Sequence, residues 1–250
     1  MQAALTDTGR AIRSQALRLR RSGVWLPTLG IPSVAIALAA IVLWSAEPAA
    51  VPEADLWAQI IQAAFGMWAL LLLPLLTALV AAQVAALEHG ARAWKHLLAL
   101  PTWKGAHIVA AWVAVAGLTA AATLALATGI AVVGAITAML QPLAAPTGAP
   151  LAKLFGAAGL VYAGSLLLVS GHLWLSIRWP GVGVGLAVAV VGVFSNIVLL
   201  NLGAGAVTPY GLAPSALIGG RLDLVLISFL GGLAVLIASV WYLSQRDAPA

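Results

Sequence analysis

The 250-residue chain has no cysteine, only four histidines, and seven acidic residues against twelve basic ones. Without cysteine there are no disulfides and no thiolate-held metal. Charge of either sign is scarce: Asp, Glu, Lys and Arg make up 8% of the residues, where ordinary soluble domains carry roughly 25%. The lysines Lys95, Lys104 and Lys153 follow Trp94, Trp103 and Ala152, so no Gly-Lys pair exists and the Gly-x-x-x-x-Gly-Lys-Ser/Thr phosphate loop is absent. The chain does not hold ATP by that route. No carboxylate falls in the core of a predicted span, with Asp223 at the end of the last one, so the usual signature of proton coupling is missing too.

What fills the chain instead is apolar: 63% of residues are hydrophobic. Uncharged runs cover 22–46, 56–87, 105–152, 154–177, 179–220 and 224–245, each longer than the ~20 residues that cross a bilayer. The two longest end in "QPLAAPTGAP" and "GAGAVTPYGLAPSALIGG", where proline and glycine break helices. The fold class is therefore an all-α integral membrane protein, one domain over 1–250, with six spans near 25–44, 58–87, 107–136, 154–177, 182–200 and 223–243. The run at 22–46 is too long for the ~7–15-residue core of a secretory signal and is taken as the first span.

Positive charge sets the orientation. With the N-terminus inside, Arg10, Arg13, Arg18, Arg20, Arg21, Arg92, Lys95, Lys104, Arg178 and Arg246 are cytoplasmic and only Lys153 and Arg221 are external. Both termini are then cytoplasmic. The net charge of +5 is topological and argues against nucleic acid as a partner. Before the first span, Ile12, Ala16 and Leu19 fall at helical spacing among Arg13, Arg18, Arg20 and Arg21, which predicts an interfacial helix in contact with membrane lipid. A basic tail that only fixes topology is the alternative. The Gly-x-x-x-Gly spacing in "GVGVG" at 181–185 signals no more than general helix packing in so glycine-rich a chain.

One stretch is unusually polar. In "EHGARAWKHLLALPTWKG" at 88–105, Leu87, Ala91, Trp94 and Leu98 share one helical face, Glu88 can pair with Arg92, and Pro101 ends the helix. The pattern fits either a short amphipathic docking helix or a loop anchored at the interface by Trp94 and Trp103. Within the spans the polar residues are neutral. Gln62, Thr77, Gln83, Thr119, Thr123, Ser165, Ser170 and Asn196 serve interhelical hydrogen bonding or, for Gln62, Thr77, Gln83, Thr123 and Asn196, a substrate path.

These features together resemble the permease subunits of type-2 ABC exporters, in the lantibiotic-immunity and bacitracin-resistance branch. The resemblance rests on the basic segment "SQALRLRRSGVW", on a glutamate followed by Trp-Lys-x-Leu-Leu-x-Leu-Pro in "EHGARAWKHLLALP", and on the Pro-aromatic segment "TPYGLAP" at 208–214 with Pro209, Tyr210 and Pro214. It implies that 88–100, with Glu88, Arg92, Trp94, Lys95 and Leu98, is a coupling helix that seats on a separate ATPase subunit. Lys104 substitutes for the usual Ser-Arg type pair that "TWKGAH" lacks, and Gln15 stands where an acidic residue is common. It further implies that residues 202–221 re-enter the outer leaflet, that ATP and Mg are bound by the partner and no cofactor by this chain, that a second permease completes the path, and that the protein exports amphipathic compounds such as antimicrobial peptides across the bacterial cytoplasmic membrane.

Three other classes share part of this pattern. An intramembrane protease would pair Ser165 with His172, but seven residues of helix separate them by about 10 Å, beyond the ~3 Å of hydrogen-bond reach. A haem carrier would use His107 and His172 as axial ligands on neighbouring spans. A non-transporting subunit would dock an ATPase without opening a path.

Overall fold

The computed structural model describes residues 2–45, 53–89, 103, 105–140 and 148–245. The chain is all-helical, with no strand among the described residues. The helices are α1 (Gln2–Arg20), α2 (Trp25–Ser45), α3 (Glu53–Met67), α4 (Leu73–His89), α5 (Gly105–Leu140), α6 (Ala149–Gly164), α7 (Leu166–Arg178), α8 (Val182–Asn201), α9 (Leu212–Gly219) and α10 (Leu222–Ser244). Five spans are long and apolar enough to cross a membrane, and six when the bent pair α6–α7 counts as one. The protein is a multi-pass membrane protein.

The second span, Leu56–Leu87, runs through α3 and α4 and is the most enclosed, 56% buried against 22–33% for the other four. It is the axis of the bundle. Trp57, Phe65, Trp68 and Leu76 are fully buried on it, facing Leu126 and Ile130 of α5 and Leu154 of α6. α3 joins α4 through a single π-turn, Trp68–Leu72, in which the Leu73 amide reaches back to the Trp68 carbonyl. The cause lies one residue on. Pro74 has no N–H to donate and its ring crowds the carbonyl four residues earlier, so the ladder widens by one residue there rather than breaking.

α5 is 36 residues long, about 54 Å, which exceeds the ~30 Å hydrocarbon core, so it tilts or projects. Its first turns carry α1. Ala11, Gln15 and Leu19 are the buried face of α1, and Ala11 packs on Ala106 and Ala110. This corrects the predicted stripe of Ile12, Ala16 and Leu19: Ile12 is half-buried and Ala16 exposed. Alanine on both sides allows closer approach than isoleucine would, and the helix has rotated to use it. Arg13, Arg20 and Arg21 are exposed and Arg18 is half-buried.

The expected single helix over 154–177 is two helices bent by 43° at Ser165. The segment after α8 is a hairpin of short helices folded back against it. The bend and the hairpin together build the candidate site.

Candidate functional site

In a continuous helix the Leu167 amide would bond the carbonyl four residues earlier. Here it donates to Ser228 Oγ of α10 at 3.1 Å, and the same hydroxyl donates to the Gly164 carbonyl at 2.8 Å. Ser228 is thus inserted into the broken ladder and satisfies one donor and one acceptor, with 0% exposure. Small residues make the insertion possible. A Cβ on Gly232 would sit 2.8 Å from the Leu166 carbonyl oxygen, and one on Gly164 would sit 2.9 Å from Ala213 Cα. Ser165 turns its own hydroxyl onto the Tyr162 carbonyl at 2.7 Å.

Against the far side of that break lies the hairpin. After Asn201 the chain reverses, with the Ala204 amide on the Leu199 carbonyl at 2.9 Å, and runs back down α8 through a 3₁₀ turn at Gly205–Val207. Thr208 bonds Asn196 Oδ1 and accepts the Gly211 amide at 3.0 Å. Tyr210 then reaches deeper. Its hydroxyl donates to the Val188 carbonyl at 3.1 Å and meets His172 Nε2 at 3.1 Å, the rings edge-to-face with centroids 6.0 Å apart. α8 receives the ring at Gly192, where any Cβ would overlap the phenol. The chain leaves through α9, closed by Gly220 in the left-handed region (φ 59°) while the Arg221 amide returns to the Ala216 carbonyl at 3.1 Å.

Beneath the hairpin is an open-sided cavity of about 290 Å³ between α7, α8 and α10, lined by Leu168, Leu175, Val188 and Val235 together with His172 and Tyr210. His172 is 2% exposed, and its Nδ1 has no partner among the described residues. This apolar wall with one unpartnered ring nitrogen can take a largely apolar molecule that carries a polar group.

The residues predicted for a substrate path do not converge. Asn196 anchors the hairpin. Thr77 and Thr123 give their hydroxyls to carbonyls one turn back, at 2.8 and 2.9 Å, and Thr123 also accepts from Trp68 Nε1 at 3.3 Å. Gln62 is exposed on the outer face of α3, and Gln83 keeps a buried Oε1 without a partner among the described residues. Pro214 is buried in α9, Pro209 exposed and Tyr210 half-buried. The backbone of Glu88 closes α4, but its side chain, together with Arg92, Trp94, Lys95, Leu98 and Lys104, lies outside the described residues. Ser165 and His172 have separate partners, which removes the protease geometry. His172 Nε2, the ring nitrogen a haem pair would call upon, is committed to Tyr210.

Sequence reasoning missed Ser228, Gly192 and Gly232. A small residue in a glycine-rich span is invisible until the helix that approaches it is known.

Residues 11–196, about three-quarters of the chain, match the family model described as ABC-2 family transporter protein. The chain belongs to the ABC-2 transporter family. It is a membrane permease component of an ABC transporter, distinct from the ATPase, and its partners include ABC ATPase subunits. No match was found among curated proteins or among solved structures. The matched region runs from within α1 to Asn196 within α8, so it covers most of the basic helix, the stretch at 88–100 and the broken span, and stops short of the hairpin.

Proposed function

We propose that this permease belongs to an exporter in which the segment 88–100 seats on the ATPase and drives the bundle between inward- and outward-facing states. The observation that carries the reading is the family match over 11–196, which includes that segment. Its glutamate, its Trp-Lys-x-Leu-Leu-x-Leu-Pro run and its apolar stripe suit a helix with one side on the bundle and a charged side on a partner. ATP and Mg reside on the partner, and this chain holds no cofactor. A second permease, a copy or a relative, completes the path; the exposed apolar faces of α2, α8 and α10 are where lipid and that subunit compete.

α4 leads into 88–100 and packs on both α7 and α8. A push on that segment therefore reaches the break at Ser165 and the hairpin that bridges α7 to α8. ATP binding shifts the bundle only as far as its contacts differ between the two states, and these bridging contacts are the ones that differ. The substrate is amphipathic and membrane-borne, and by family analogy it is an antimicrobial peptide of the lantibiotic or bacitracin kind. The arginine-rich end and both termini face the cytoplasm of a bacterial inner membrane.

The test is substitution of Arg92→Glu with Lys95→Glu, and separately Trp94→Ala, in the assembled complex. Both variants keep the fold and ATP binding by the partner but lose substrate-stimulated hydrolysis and resistance to the exported compound. Unchanged transport in both variants removes the docking role.

A further inference from the structure

A second cavity, of about 290 Å³, lies under α1, where that helix crosses the first third of α5 near the start of α2. Its apolar walls come from Ile12 and Leu19 of α1, Trp25 of α2, and Val113, Gly117 and Leu118 of α5. Ala110 to Leu118 covers about 12 Å of α5 by helix rise, so the space is elongated along the span. Two polar side chains also line it, Gln15 and Arg20. Gln15 is 2% exposed, and its Nε2 has no partner among the described residues. A buried amide N–H with no acceptor is costly.

The occupant must therefore bring three things: an apolar chain for the walls, a neutral carbonyl oxygen for Gln15, and negative charge for the rim. α1 and the turn after it carry Arg10, Arg13, Arg18, Arg20 and Arg21 against Asp7 alone. We propose that this cavity holds one acyl chain of an anionic glycerophospholipid drawn from the leaflet at the arginine-rich end. Its ester carbonyl accepts from Gln15 Nε2 and its phosphate rests on Arg20. The lipid then acts as a wedge between α1 and α5, and the glutamine is matched to it. The site is separate from the hairpin and does not depend on the transport reading.

Gly117 supplies a selective test. Gly117 lines the cavity and a Cβ there meets nothing within 4 Å, so Gly117→Leu is placed to fill that space, and leucine favours a helix more than glycine does. The full chain, purified with the subunits that accompany it, is titrated with equal amounts of phosphatidylglycerol and phosphatidylcholine and read by native mass spectrometry and by melting temperature. Wild type retains one phosphatidylglycerol per chain in preference to phosphatidylcholine. Arg20→Ala and Gln15→Leu each lower that retention about ten-fold, the loss of one strong hydrogen bond. Gly117→Leu abolishes retention while the melting temperature without added lipid is kept. Equal retention of the two lipids by wild type overturns the proposal, as does retention by Gln15→Leu at the wild-type level. A Gly117→Leu variant that keeps its lipid but dissociates into single permeases makes the cavity a subunit contact and likewise overturns it.

Discussion

Replacing Ser228 by alanine tests whether the bend at Ser165 is held from outside its own helix. The hydroxyl makes two bonds from α10 to the α6–α7 break, 3.1 Å from the Leu167 amide and 2.8 Å to the Gly164 carbonyl, in a place with no exposure. Interhelical bonds in membrane proteins average ~0.6 kcal/mol and reach ~1.7, so two of them give a loss of about 1–3 kcal/mol. A loss at the upper end follows if the orphaned backbone groups find no substitute. Scaled by ~2–4 °C per kcal/mol for a chain of this size, the melting temperature falls by about 2–12 °C. Ser165→Ala is the control. Ser165 bonds the Tyr162 carbonyl, which also accepts the Ser165 amide at 3.0 Å, so removing the hydroxyl orphans nothing and costs less than about 0.6 kcal/mol. The assay is intrinsic tryptophan fluorescence on heating in a mild detergent, on both variants. A Ser228→Ala protein that melts within about 1 °C of wild type, or no lower than Ser165→Ala, refutes the bridging role.

Gly192→Ala puts a methyl where the Tyr210 ring lies and costs about 1–3 kcal/mol by overpacking, and hydrogen exchange over residues 203–211 rises in that variant. Trp112→Phe removes the 2.8 Å bond from the indole N–H to Ser170 and lowers stability by about 0.6–1.7 kcal/mol in equilibrium unfolding, without altering the oligomeric state. Arg221→Ala leaves the melting temperature unchanged, because the Arg221–Asp223 pair, at 2.6 Å, lies with both side chains half in solvent.

The span positions were legible in the sequence because apolar runs bounded by charge are a strong and one-dimensional signal. Five correspond to continuous apolar helices and the sixth to the bent pair α6–α7. The break at Ser165 was not legible. "YAGSLLL" carries no proline, and the helix bends there because Ser228, 63 residues further on by numbering, competes for its backbone. The hairpin was half legible: proline and glycine at 203–220 excluded a continuous helix, but only packing brings Tyr210 beside His172. Gln15 shows the same division. Its departure from the family's acidic residue was visible, whereas its burial over a cavity needed the rotation of α1 onto alanines of α5.

The central claim is that this permease works through a separate ATPase. The most direct test is to purify the tagged chain from native membranes in mild detergent and identify by mass spectrometry what accompanies it in stoichiometric amount. The account predicts a soluble subunit with a Gly-x-x-x-x-Gly-Lys-Ser/Thr loop in stoichiometric amount. Recovery of the chain with no such subunit, even after cross-linking in intact membranes, contradicts it.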